Sequence, residues 1–320
     1  MKKLLFTMLF AACCCVVAVG AEKPLRVLVI GNSFSLSMMH ELPNIMNAQN
    51  KHKLDITSMY IGGCSLERHI KEYETAVADP SHKPYKIRRF VSGKKELEES
   101  RSNLPEQLAK EPYDIVTIQQ ASASSWRADT WTPWGDKLIT LVREKQPKAE
   151  IVIQETWSYR SDARSLARWK ITNEEMYRKL REVYRERAKH YGFRMIPMGD
   201  AVQIYRKLAP VKYVPPTPAE LAALKYPQTL EDRADTAGRD RWIKKNGKWT
   251  FKMDSNHLNR RGEYMQSCVW YGFLFNEDVE KIAYTPEYVK PAEDAKLLRK
   301  CAALALAGKT ELIDGPAQDK

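Results

Sequence analysis

The chain has 320 residues, 43% hydrophobic and 29% charged, an ordinary globular composition that leaves room for one large domain with insertions. Its net charge of +12, which becomes +10 without Lys2 and Lys3, is spread thinly. No basic run exceeds two residues, as at Arg88-Arg89 and Arg260-Arg261, so the clustered stripe of a nucleic-acid-binding protein is absent. The basic residues read as a solvated surface, with steering of an anionic polysaccharide or of the anionic cell envelope as the functional alternative.

Residues 1–20 read as a signal peptide. Lys2 and Lys3 form its positive region, Leu4 to Val17 its apolar region, and Ala18-Val19-Gly20 a small-residue cleavage site. The apolar stretch is short for a membrane span, and nothing later resembles one. A lipoprotein box at Phe10-Ala11-Ala12-Cys13 is the poorer reading, because apolar residues continue beyond Cys13. The expectation is export to the periplasm or the medium. Cys13 to Cys15 fall in this leader. Cys64, Cys268 and Cys301 remain, an odd number with no C-x-x-C, so at most one internal disulfide forms. They read as small buried apolar residues.

Arg26-Val27-Leu28-Val29-Ile30-Gly31 is a short apolar run rich in β-branched residues, the pattern of a buried parallel strand. It breaks into Asn32-Ser33-Phe34-Ser35, and helical spacing follows over His40 to Asn50. A serine just beyond a strand end is well placed for a nucleophile, and it is equally a preferred helix N-cap. The two readings separate only far downstream, at Asp254-Ser255-Asn256-His257. There an Asp and a His three apart supply a base and the group that orients it, which a serine nucleophile requires.

A Gly-Asn-Ser-Phe-Ser turn after the first strand, with Asp-x-x-His and Leu258-Asn259-Arg260-Arg261-Gly262 near the C-terminus, resembles the SGNH/GDSL hydrolase superfamily. No Gly-x-Ser-x-Gly occurs, so the α/β-hydrolase elbow is absent. The resemblance implies an α/β fold, a three-layer α/β/α domain with a five-stranded parallel sheet over residues 21–320. It implies Ser33, Asp254 and His257 as a catalytic triad.

Leu54 to Tyr60 is the second candidate strand and runs into Ile61-Gly62-Gly63-Cys64-Ser65, with Ser65 capping a helix. In the family a glycine here gives a backbone N–H to the oxyanion hole beside that of Ser33, and Gly62 or Gly63 matches the place. Residues 80 to 95 read as an inserted hairpin or loop, part of an insertion near 80–100. Ser102 to Lys110 reads as a helix and Tyr113 to Ile118 as a third strand, ending in Gln119-Gln120. The family usually has an asparagine beyond this strand as the third oxyanion donor. The chain resembles a glutamine-bearing, uncharacterised-domain branch, with Gln119 as the donor and Gln120 close behind.

Trp126, Trp131 and Trp134 follow, then a helix around Leu138 to Val142. Ile151 to Ile153 is the fourth strand, leaving through Trp157. Trp126, Trp131 and Trp157 are candidates to stack on a sugar ring, or else pack as core or lid. Asp162 to Tyr191 reads as one long helix, Phe193 to Pro197 as a fifth strand, and Gly199-Asp200-Ala201 as the start of another helix. Prolines and charge mark 208–247 as an insertion over the active-site mouth. Lys248 to Met253 returns as a hairpin strand delivering Asp254. Asn259 opens the final core helix, residues 286 to 308 add a peripheral one, and Ile313 to Lys320 frays.

His40, His52, His69, His82 and His190 show no paired ligand spacing, and His69 and His190 read as helix-surface residues, so neither metal nor cofactor is expected. The expectation is an exported serine esterase removing acetyl or another small acyl group from a glycan. Its partners are a small-molecule or oligosaccharide ester and no nucleic acid. The alternatives are a non-catalytic glycan-binding protein on the same fold, or a lipase or thioesterase.

Overall fold

The computed structural model describes residues 23–94, 96–230 and 234–313. The expected leader over 1–20 and residues 314–320 of the expected frayed tail lie outside the described residues.

Strand β1, Leu25–Gly31, is buried from Val27 onward. Val27 and Val29 join one apolar cluster, and Leu28 and Ile30 join another on the opposite face. Both faces are covered, so the strand is continuously apolar rather than alternating. The remaining strands of the sheet are β2 Leu54–Tyr60, β3 Tyr85–Val91, β4 Glu98–Ser102, β5 Ile115–Ile118, β6 Glu150–Gln154 and β7 Met195–Ile196. Their order is β4-β3-β2-β1-β5-β6-β7.

The expected five parallel strands are β2, β1, β5, β6 and β7. The sheet has seven strands rather than five because the stretch near 80–100 folds as an antiparallel hairpin onto β2. The outer strand β4 is polar and mostly exposed, as suits an unpaired edge. One physical reason for the docking is Arg89 of β3, whose guanidinium makes a bidentate ion pair with Asp55 of β2 at 2.7 and 2.5 Å.

Helices cover both faces. Leu42–Gln49, Met198–Leu208, Arg260–Phe275 and Ala292–Leu306 pack on the Val27 side. Leu66–Ala78, Leu104–Lys110, Trp134–Lys145 and most of Asn173–Tyr191 pack on the Leu28 side. The last helix is no peripheral addition: Leu298, Cys301 and Ala302 are fully buried in the core. The single helix expected over 162–191 is two, Arg164–Trp169 and Asn173–Tyr191. Lys170 turns left-handed (φ 56°) between them, and Thr172 with Glu175 forms a capping box that restarts the chain. His69 is fully buried rather than on a helix surface, with Nδ1 2.8 Å from the Tyr85 hydroxyl. The three described cysteines are buried and unpaired.

Chain order reverses at β1, which leads to β2 on one side while β5 lies on the other. Such a switch point opens a crevice beyond the carboxyl ends of the strands. Residues 208–247 carry a short helix, Pro218–Ala223, and a strand β8, Arg241–Lys245, which pairs antiparallel with β9, Lys248–Lys252. Among the described residues no helix is long and apolar enough to cross a membrane.

Removing Asp55 takes away the bidentate partner of Arg89 and leaves the longer contacts to Glu111 at 3.3 Å and Glu98 at 3.9 Å. Asp55→Ala is expected to lower unfolding free energy by about 1.5–3 kcal/mol, the worth of hydrogen bonds to a charged group. In urea titrations, Asp55→Ala with Arg89→Ala should lose less than the two single variants added together.

Candidate active site

β1 ends at Gly31, where a Cβ would lie 2.1 Å from Ser35 Oγ and would push that hydroxyl off the Asn32 carbonyl to which it donates. Asn32 then caps the helical turn Ser33–Leu36, its Oδ1 accepting the Phe34 N–H at 3.0 Å. The serine read as a possible cap is therefore not the cap. Its hydroxyl is turned out instead, with Oγ 2.8 Å from His257 Nε2.

His257 Nδ1 lies 2.9 and 3.0 Å from the two carboxylate oxygens of Asp254. A carboxylate only accepts, so Nδ1 of the neutral ring carries the proton. Nε2 is then the acceptor, and the Ser33 hydroxyl donates to it. The structure thus brings Ser33, His257 and Asp254 into one hydrogen-bonded row, although Ser33 and His257 are 224 residues apart.

Two cations that sequence reasoning missed hold this row. Arg241 of β8 donates to Asp254 Oδ2 at 3.1 Å. Burial opposes ionisation of Asp254, but the hydrogen bond and charge of His257, joined by Arg241, hold its carboxyl well below the usual range. Arg160, almost fully buried, bonds Asp162 and Asp240, and Asp240 in turn accepts the Asp254 N–H at 2.7 Å. The Arg160 N–H also donates to the Ser255 carbonyl at 2.9 Å. Asp240 and Arg241 lay unnoticed at the end of a charged stretch. Arg160, six residues beyond β6, gave no signal.

The glycine turn is tied to the serine turn through Asn32 Nδ2, which donates to the Cys64 carbonyl at 3.0 Å. Gly62 and Gly63 are exposed, and Gly63 has φ +62°, a conformation that favours glycine. Gln119 does not face the crevice. It is 1% exposed, and its amide donates to Asn32 Oδ1 at 2.7 Å. Gln120 is likewise spent: Oε1 accepts from the Leu66 and Ala121 N–H groups, and Nε2 donates to the Thr130 carbonyl. Both side chains lock strand exits together rather than point at a reacting atom.

Two of the three tryptophans are core. Trp131 is fully buried with its ring edge-on to Tyr184. Trp157 is also fully buried, stacked on Phe34 at 4.1 Å, and its indole N–H donates to the Asn256 carbonyl at 2.9 Å. It steadies the histidine loop and offers no face to a sugar. Trp126 is half-buried against Trp169, which leans on Tyr159. Beside His257 lies a groove of about 800 Å³ whose walls include Arg164, Pro215, Ile243, Thr250 and Lys252.

Gln119→Ala breaks a buried hydrogen bond and should cost about 1–3 kcal/mol of stability in chemical denaturation. An unchanged unfolding midpoint would contradict its placement. Asp254 has a depressed folded pKa, so its stabilisation is fully present above the unfolded value of about 3.9 and is lost as pH falls through the folded value. Asp254→Asn should therefore flatten the loss of stability on acidification below about pH 4, read from melting temperature against pH.

A family model described as a domain of unknown function, DUF4886, matches residues 26–210, which include the Ser33 turn, the glycine turn and Gln119 but stop before Asp254. No curated protein sequence matches the chain. A crystal structure of a DUF4886 family protein from Bacteroides uniformis ATCC 8492 superposes with a TM-score of 0.71 and 25% identity, over 90% of this chain and 97% of that one. More distant are a candidate SGNH hydrolase from Slackia heliotrinireducens (TM-score 0.47, 16% identity, 79% of this chain and 100% of that one) and an acetyl xylan esterase (0.44, 11%, 78% and 99%). The family model covers more than half of the sequence, and the chain belongs to the DUF4886 family.

Proposed function

We propose that the protein is a serine esterase that cleaves small acyl esters, acetyl above all, from a glycan. The observation that carries this reading is the row Ser33 Oγ, His257 Nε2, His257 Nδ1, Asp254, with each contact at 2.8–3.0 Å. A binding protein has no use for a hydroxyl, an imidazole and an ionised carboxylate aligned in that order.

In this mechanism Ser33 Oγ attacks the ester carbonyl carbon as His257 Nε2 takes its proton. Asp254 fixes the ring and stabilises the imidazolium that forms. Backbone N–H groups of Ser33 and of Gly62 or Gly63 meet the developing oxyanion. Each such donor is worth about 3 kcal/mol in acyl-transfer sites. His257 returns the proton to the leaving alcohol, an acyl-Ser33 remains, and water activated by His257 releases the acid. With Gln119 bound to Asn32, the oxyanion hole in this reading is made of backbone alone. The open groove beside His257, with both charged and apolar walls, supports a sugar polymer over a lipid. Residues 1–20 support export, and N-terminal sequencing of the mature protein tests this.

Ser33→Ala and His257→Ala should each lower turnover of p-nitrophenyl acetate by at least 10³-fold while leaving the melting temperature within a few degrees. A fluorophosphonate probe should label the wild type at Ser33 and leave Ser33→Ala unlabelled. Labelling at another residue, or full turnover in Ser33→Ala, would refute the assignment.

A further inference from the structure

The hairpin β8–β9 has two unlike faces. Arg241, Lys244, Lys245, Lys248 and Lys252 lie within residues 241–252, and no Asp or Glu does. The register places Trp242 opposite Phe251 and Lys244 opposite Trp249 on one face. That face is clamped: Trp249 stacks on Tyr226 at 3.9 Å, and the Trp242 indole N–H donates to the Gln228 carbonyl. The other face sets Arg241 opposite Lys252 and Lys245 opposite Lys248. Like charges directly opposed across strands are destabilising, so this arrangement costs the free protein stability.

Of that face, Ile243, Thr250 and Lys252 line the groove that holds His257 and Asp254, and Arg164 stands in its wall. Two acids stand there: Asp162, engaged by Arg160, and Asp254, engaged by His257 and Arg241. Among the described residues, Arg164, Lys245, Lys248 and Lys252 have no carboxylate partner. With both acids engaged, the charge left over along this face is positive, and a surplus of one sign draws the opposite sign to it.

We propose that this face of the hairpin is the seat of an anionic glycan, a polymer whose sugars carry carboxylate or sulfate groups. Such a chain relieves the opposed lysines and lies against the aliphatic walls at Pro215, Pro216 and Ile243. The groove, at about 800 Å³, falls within the roughly 300–1,000 Å³ of ligand sites. A single-stranded nucleic acid is the poorer occupant, because it needs aromatic platforms along the same groove. Here most of the aromatics lie on the clamped face. The role of this seat, to present an acylated anionic chain to Ser33, rests on the esterase reading above.

The test measures binding without hydrolysis, in Ser33→Ala protein, so a failed esterase assay leaves it intact. Calorimetry or affinity electrophoresis is run with polygalacturonate, dextran sulfate, neutral dextran and a 20-nucleotide single strand. Polygalacturonate or dextran sulfate should bind, more weakly as salt rises, and dextran should not. The polymer that binds tighter identifies carboxylate or sulfate as the recognised group. Lys245→Gln, Lys248→Gln and Lys252→Gln together should weaken that binding at least tenfold. Lys145→Gln, Lys148→Gln and Lys189→Gln remove the same charge from exposed positions elsewhere and should leave it within twofold. Equal losses in the two triple variants would reduce the effect to net charge and overturn the proposal. So would absence of binding by both polyanions, or tighter binding of the oligonucleotide.

Discussion

One buried amide organises the crevice. Asn32 caps the turn that carries Ser33, receives Gln119 from the exit of β5, and donates to Cys64 just beyond the exit of β2. Three strand ends that approach one another only because β1 lies between β2 and β5 are thereby held in register by one side chain. Each of these bonds is buried, and each would be costly to leave half-made. An aspartate here would serve the cap but could not donate to Cys64 without taking up a proton. The asparagine is what lets one residue accept at one end and donate at the other.

The other half of the site is held from above. The loop 254–257 follows β9 directly, and its backbone is gripped on both sides. Trp157 and Arg160, in the exit of β6, bond Asn256 and Ser255. Gly238 donates to the His257 carbonyl, and a side chain there would strike Arg160. Phe34 lies 5.5 Å from the His257 ring and stacks on Trp157, so the serine turn and the histidine loop share one aromatic wall. The insertion at 208–247 is therefore part of the site. It supplies Asp240 to the Asp254 backbone N–H, Arg241 to the Asp254 carboxylate, and strand β8, which pairs with the strand β9 that leads to Asp254.

What was legible in the sequence was whatever depends on local pattern. The run ending at Gly31, the strand Leu54–Tyr60, and the spacing of Asp254 and His257 all follow from burial and short-range geometry. What was hidden depends on where side chains meet. Gln119 stands where a donor was expected, but the direction of an amide is set by its partner, and Asn32 sits 87 residues away. Trp131 and Trp157 have the right chemistry for a sugar and the wrong burial, which no local pattern reveals. The break at Lys170 is a different miss. The Thr172-x-x-Glu175 box that restarts the helix was present in the sequence and was overridden by a long charged helical pattern.

Arg241 brings a conflict into the row of Ser33, His257 and Asp254. With His257 as the larger cause, it helps keep Asp254 ionised, and an ionised Asp254 is what fixes the proton on His257 Nδ1 and leaves Nε2 to accept from Ser33. The same cation competes for the carboxylate charge that would stabilise an imidazolium at His257. Two features limit the competition. Arg241 binds Oδ2 at 3.1 Å, whereas His257 reaches both oxygens. Its side chain is also 43% exposed, so water and salt screen its charge more than they screen the shorter contact with the ring. The arrangement orients the carboxylate firmly and neutralises it weakly.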